Sequence, residues 1–498
     1  MLYTTTRRGQ EHIEGSQAIL NGLGADGGLY LPESIPHFTE EELQALMKMD
    51  YNSKARVILG EFLTDFTQEE IRYCVDAAYN HETFSDPAIT PLRFLTDQCA
   101  VLELYHGPTS AFKDLALQIL PHLLTTSARK NGDKRTFIIL VATSGDTGKA
   151  ALEGFKDVPG IKIMVFYPND GVSLVQKLQM STQEGSNLQV LSVEGNFDDT
   201  QNGVKALFSD AALNQLLEAK GMTFSSANSI NWGRLVPQIV YYFEAYAQMI
   251  AGGSIAFGQE VNFTVPTGNF GNILAGYYAK EMGLPIRRLI CAANQNDVLK
   301  DFIRSGIYNR NRPFHKTHSP SMDILISSNL ERLLYLISNR DKSFVTQLMD
   351  ELKDDGVYTI HTDLLKKIQK TFWSDSCGDP ETTDTIRQVY DEFGYLMDTH
   401  TAVAYGVYEK YVMQTEDKTP NVIVSTASPY KFNQAVGEAI LQTDASDDEL
   451  KLLEEIRAKS GMPIPQGLTG LDQKMIRFRE VIPKDQMKGS LMDYLDLK

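Results

Sequence analysis

Apolar residues take two textures along this chain of 498 residues, and the change between them outlines its architecture. Over residues 1–95 they recur at helical spacing, most clearly at 40–49 and 68–79, between polar turns such as Gly24-Ala25-Asp26-Gly27-Gly28. A short strand over 29–32 stops at Pro32, and the stretch as a whole predicts a mainly helical unit. From about residue 99 the pattern becomes continuous β-rich runs alternating with helical ones. Strands are expected over 100–104, 136–142, 161–167 and 188–193, and helices over 111–129, 149–155 and 200–219. A second set gives strands at 262–266 and 288–293 around a helix at 273–282. Residues 297–395 lose the alternation and read as a helical insertion, clearest at 329–337 and 341–352. The alternation then returns with a strand at 421–426. Strands apolar on both faces, each followed by a helix, predict parallel α/β sheets. Further along, Ser446-Asp447-Asp448-Glu449 matches a capping box opening a charged helix.

Composition narrows the class. An apolar share of 42% and a charged share of 22% describe an ordinary globular chain, and its length suggests about three domains. Lys and Arg number 47 against 64 Asp and Glu, a net charge of −17 that opposes non-specific binding to nucleic acid or anionic membrane. A small anion can still bind, because local fields govern that. Cys74, Cys99, Cys291 and Cys377 are scattered without metal or disulfide spacing, which suits reduced thiols. No HExxH is present and His315 and His318 lack a nearby third ligand, so no metal is expected. No apolar core follows Arg7-Arg8, and no stretch approaches the ~20 apolar residues of a membrane span. The expectation is a soluble cytoplasmic protein with a small-molecule substrate.

Candidate chemistry lies in loops at strand ends, where open α/β sheets place ligands. Residues 143–148 (TSGDTG) and 268–272 (GNFGN) both open helices, and small residues there leave backbone N–H groups free for a carboxylate or phosphate. Residues 228–234 (NSINWGR) combine two Asn, a Ser and Arg234, a possible anion clamp. Residues 425–429 (STASP) gather hydroxyls without charge. In HGPTSAFKD (106–114), Lys113 follows a stiff Gly-Pro-Thr turn, and a held, desolvated lysine can form a Schiff base. Each of these also has a plain structural reading as a turn, a cap or a solvated lysine. Together they suit a phosphorylated aldehyde cofactor acting on an anionic amino acid.

With HGPTSAFKD, ATSGDTG (142–148), NSINWGR, PTGNFGN (266–272) and STASPYKF (425–432), the chain resembles threonine synthases, pyridoxal-phosphate enzymes of fold type II. YTTTRRG near the N-terminus and GADGGLYLP at 24–32 resemble the microbial and fungal branch. The resemblance implies an α/β, tryptophan-synthase-β-like fold of two open α/β domains with a helical N-terminal unit and a helical insertion. The division would be 1–95 for the N-terminal unit, then 96–133 with 250–498 for a large cofactor-binding domain carrying the insertion 297–395. Residues 134–249 would form a small domain with the substrate-carboxylate loop. Lys113 would hold pyridoxal 5′-phosphate, with Gly268, Asn269, Phe270 and Asn272 around its phosphate and Thr426 at its ring nitrogen. Ser144, Thr147 and Asp146 would meet the substrate carboxylate, with Asp146 alternatively capping its helix, and Asn228, Ser229 and Arg234 would take a substrate phosphate. The implied reaction is O-phospho-L-homoserine plus water giving L-threonine and phosphate, through γ-elimination and β-addition of water. Alternatives are a related phospho-lyase or dehydratase, or a silent cofactor-binding homologue. A monomer is expected, and Ser110 is expected to have no chemical role.

Overall fold

The computed structural model describes residues 1–10, 12–169, 172–441 and 448–497. Two sheets organise them. The larger runs Phe372–Ser376, Ile286–Ala293, Val261–Pro266, Asn421–Ser425, Cys99–Glu103 and Leu92–Thr96. All its pairings are parallel except that of the edge strand Leu92–Thr96. The smaller sheet is parallel throughout, in the order Val481–Ile482, Leu188–Val193, Ile161–Pro168, Thr136–Ala142, Met222–Ser225. Helices cover both faces, so the central strands are buried on both sides; every residue of Val261–Pro266 is buried. A third, antiparallel sheet joins Ile13–Glu14, Leu2–Thr5 and Tyr30–Pro32 in the N-terminal unit.

Several elements depart from the sequence pattern for identifiable reasons. The helix expected over 111–129 is two, Lys113–Leu117 and Leu120–Lys130, the second opening with Pro121 in its first turn, where a missing N–H is harmless. The helix over 200–219 breaks at Asp210, whose carboxylate caps the second half by accepting from the Leu213 amide at 3.0 Å. Within the expected helical insertion, Phe372–Ser376 is an edge strand of the larger sheet; its Phe-Trp-Ser-Asp-Ser is half polar because one side is open. Val481–Ile482, placed by its position among residues of the large domain, instead closes an edge of the smaller sheet. Helix Val240–Ala251, expected in the small domain, packs on the N-terminal helices, and its Glu244 forms a buried ion pair with Lys54 at 2.8 Å. The helix Glu449–Ser460 is capped by Asp448; Ser446 and Asp447 of the expected capping box lie outside the described residues.

The two α/β units meet at close range behind the lysine loop. A Cβ on Gly154 would sit 2.0 Å from the carbonyl oxygen of Leu117, so helix Asp146–Phe155 rests directly on the backbone of helix Lys113–Leu117. Gly154→Ala should therefore cost about 1–3 kcal/mol in denaturant unfolding, because a backbone atom cannot rotate away. Among the described residues, no helix is long and apolar enough to cross a membrane and no group of three potential metal ligands occurs. All four cysteines are buried and free.

Candidate active site

The lysine loop is held from below. Asp114 is fully buried and accepts from the Thr109 amide at 2.8 Å and the Thr109 hydroxyl at 2.6 Å, tightening the turn that precedes Lys113. Gly107 leaves room for that carboxylate, since a Cβ there would lie 2.5 Å from Asp114 Cβ. Ser110 adopts the left-handed region at φ 59°. Its carbonyl accepts from the Ser428 amide at 3.0 Å and the Thr426 carbonyl from the Phe112 amide at 2.8 Å, around a bridge between Ala111 and Ala427. The lysine loop and the hydroxyl-rich loop are thus stitched together, backbone to backbone.

Lys113 then reaches into a charged cluster that the linear sequence hides. Its Nζ donates to Ser321 Oγ at 3.2 Å and lies 3.7 Å from Asp146 Oδ2. Burial pulls its pKa down; Asp146 opposes this, Arg234 and Lys431 reinforce it, and the result is about 8. Asp146 does not cap its helix: Gly145, at φ 137°, occupies that position with no side-chain cap. Its Oδ1 instead accepts from Lys431 Nζ at 2.8 Å and Gln176 Nε2 at 2.9 Å, and its Oδ2 from Ser321 Oγ at 3.4 Å. Burial alone would raise the pKa of Asp146, but Lys431, Lys113 and Gln176 outweigh it and hold the carboxyl far below its usual range. Ser321 is fixed in turn, because its amide donates to His400 Nε2 at 3.1 Å. That bond leaves the ring proton on Nδ1, which faces Asp398 Oδ2 at 2.8 Å. Ser144 and Thr147 sit half-buried on the same helix start, while Thr143 Oγ1 accepts from the amides of Gly145 and Gly148.

A second polar face is built by the other loops. Phe270 takes φ 63° just before helix Gly271–Glu281, and its ring packs on Phe372, 5.6 Å between centroids. Its side chain therefore packs in the core. Gly268 lies beneath the segment bearing Ser321: a Cβ there would meet the Ser321 carbonyl at 2.6 Å. Asn272 Oδ1 accepts from both Tyr241 and Tyr242 hydroxyls at 2.8 Å, leaving its buried Nδ2 without a partner. Asn329 bridges loops, donating to Ser229 Oγ at 3.1 Å and to the Asn269 carbonyl at 3.0 Å. The fully buried Arg332 donates to the carbonyls of Ser229 and Ile230, bracing the 228–234 loop. Arg234 is 4% exposed, bonded to the Ala227 carbonyl, and no carboxylate pairs with it among the described residues. Burial lowers its pKa to about 10, and its buried Nε has no partner.

An unpaired buried guanidinium and an orphaned amide beside a helix N-terminus are donors without acceptors. They fit a phosphorylated ligand, and the desolvated amine of Lys113 fits an aldehyde. Sequence reasoning found Lys113 and the loops but missed Ser321, His400, Asn329, Arg332 and the importance of Lys431, which lies within STASPYKF. A lone charge in so neutral a stretch was the available signal for Lys431. Ser321 carried none, being brought in from the insertion by folding.

Known proteins resemble the chain over most of its length. Family models for the threonine synthase N terminus, for pyridoxal-phosphate dependent enzymes and for the threonine synthase C-terminal region match residues 2–79, 89–428 and 401–487. Threonine synthase of Pseudomonas aeruginosa is 40% identical over 440 residues, covering 88% of this chain and 90% of that protein. Human threonine synthase-like 1 is 41% identical over 436 residues, covering 85% of this chain; the match spans 58% of the length of that relative. The crystal structure of pyridoxal-phosphate-bound threonine synthase from Brucella melitensis superposes with a TM-score of 0.87 at 38% identity, covering 100% of this chain and 99% of that one. With those matches and a fold of paired parallel sheets meeting at a largely buried lysine, the chain belongs to the threonine synthase family of pyridoxal-phosphate-dependent enzymes.

Proposed function

We propose that the chain is a lyase converting O-phospho-L-homoserine and water to L-threonine and phosphate, with Lys113 as its cofactor lysine. The observation that carries this reading is the unpaired, buried Arg234 guanidinium facing the same cluster as Lys113. A buried guanidinium with no carboxylate within ion-pair distance is compensated when a ligand brings an anion to it. Asn272 and the backbone of residues 268–271 are assigned to the cofactor phosphate at a helix N-terminus. Thr426 is assigned to the ring nitrogen; a neutral hydroxyl there suits elimination and replacement better than transamination. Ser144 and Thr147, with the free amides of their helix start, are assigned to the substrate carboxylate. Asp146, whose oxygens are taken by cations, is assigned to holding amines and not to binding an anion.

When bound, pyridoxal phosphate supplies the electron sink for charge developing at Cα. Lys113, released by the incoming substrate amine, is the base that removes the Cα proton and later returns one to the same atom. Arg234, Asn228 and Ser229 hold the phosphoryl group at Cγ; a proton leaves Cβ, phosphate departs with the Cγ–O electron pair, Cγ takes up a proton, and water then adds at Cβ. The enzyme base must be unprotonated, so kcat should rise with pH through a limb near about 8, the value Lys113 takes in this cluster. A pH profile of kcat flat from 6 to about 9 would remove Lys113 from that role. Product analysis after incubation with O-phosphohomoserine tests the reaction itself. Equal amounts of threonine and phosphate are expected; 2-oxobutanoate with phosphate would instead identify a phospho-lyase.

The division into units 1–95, 96–133 with 250–498, and 134–249 is proposed with two amendments: residues 240–251 go with the N-terminal packing and 481–497 with the smaller sheet. A cytoplasmic monomer completes the reading. Four buried reduced thiols suit a reducing compartment, and size-exclusion with light scattering checks the assembly.

A further inference from the structure

Lys431 is the most deeply placed cation in the site: its side chain is 0% exposed, and Asp146 is its sole ion-pair partner among the described residues. A second donor reaches the Thr109 carbonyl at 2.9 Å, within the turn that sets Lys113. Lys431 therefore touches three separate parts of the chain at once. It belongs to the loop after strand Asn421–Ser425, it grips the lysine loop, and it pins the first residue of helix Asp146–Phe155. It does all this behind Asp146, away from the Oδ2 that faces Lys113 and Ser321.

The charges facing Lys113 are Asp146, Arg234 and Lys431. Asp114 is the other carboxylate close by; burial raises its pKa to about 6 against its bonds to Thr109, and it faces Lys431 and Arg234. His400 sits behind Ser321, accepting its backbone N–H at Nε2. Lys113 and Lys431 thus share the Asp146 carboxylate. The nearer and more deeply buried Lys431, at 2.8 Å, takes it; Lys113, at 3.7 Å, receives what is left.

We propose that Lys431 is a positioning residue for Lys113: by committing the Asp146 carboxylate to itself, it leaves the Lys113 amine fixed beside Asp146 and Ser321 but free to act as a base. The proposal rests on the reading of Lys113 as the cofactor lysine. Without Lys431, Asp146 becomes a full partner for the Lys113 ammonium, and a repelling cation is lost. Both changes favour the protonated amine.

The test uses the purified holoenzyme. Borohydride reduction and peptide mapping first locate the lysine that carries the cofactor; a label elsewhere than Lys113 overturns the underlying reading, whatever Lys431 does. With the label on Lys113, Lys431→Met should move the acid limb of kcat up by about one pH unit or more, a loss of about tenfold in free amine at fixed pH. The pH titration of the visible cofactor band should move the same way, while KM for O-phosphohomoserine changes less than about threefold, since Lys431 does not face the substrate. Lys431→Arg, which keeps the charge, should restore the limb. A limb and band unmoved in Lys431→Met overturn the proposal. Should that variant fold poorly, Asp146→Asn and the double variant Asp146→Asn/Lys431→Met decide it. The single change strands a buried ammonium and should melt below the double. A double variant no more stable than Asp146→Asn also overturns the proposal.

Discussion

Lys113→Ala should purify as a folded, colourless protein, with no visible absorbance after incubation with pyridoxal phosphate and with activity reduced about 10⁴-fold or more. The size of the loss follows from two roles on one atom, covalent anchoring and proton transfer at Cα, each of which contributes orders of magnitude to the rate. The fold should survive for a reason visible in the cluster. Lys113 makes a 3.2 Å hydrogen bond to Ser321, a 3.7 Å approach to Asp146 and a 6.0 Å approach to the Phe112 ring. Asp146 keeps Lys431 and Gln176, so no buried charge is left stranded. Circular dichroism should therefore match the parent. A variant that retains both the colour and the turnover would displace Lys113 from the centre of the site.

Arg234→Ala should raise KM for O-phosphohomoserine by about 10²- to 10³-fold, in line with the about 2–5 kcal/mol lost when one partner of a buried charge pair is removed. The same variant should bind a non-phosphorylated homoserine analogue nearly as the parent does. Equal losses on the two would reject the phosphate assignment. A second consequence separates binding from folding. In the ligand-free protein Arg234 pays for its burial without a carboxylate and with Nε unbonded, so replacing it with the similarly sized, uncharged Met should leave the melting temperature unchanged or higher. Loss of affinity without loss of stability marks a side chain kept for its ligand.

Much of this was legible because the strands carrying the site are apolar on both faces. The run 136–142 is a strand over the same residues, and 262–266 and 421–426 differ from the observed strands by one residue at an end. Loops at their ends follow from topology, so Lys113, Gly145, Gly268 and Thr426 could be placed before any coordinates. What escaped was whatever depends on the third dimension. Asp146 read as a cap or a carboxylate receptor because Lys431 is remote in sequence; only folding makes them neighbours at 2.8 Å. Nor did the motif around Phe270 show that a left-handed backbone turns its ring into the core. Phe372–Ser376 was lost because an open edge lets half its residues be polar.

The short strand Val481–Ile482 has a consequence for how the protein is made. On the ribosome, Leu188–Val193 emerges long before its outer neighbour, and until Val481 and Ile482 arrive it is an unprotected strand edge. Such an edge offers unpaired N–H and C=O groups to any other extended chain. Nascent copies should therefore be the species that associate with one another, a tendency that falls once Val481 and Ile482 pair with Ser192 and Val193.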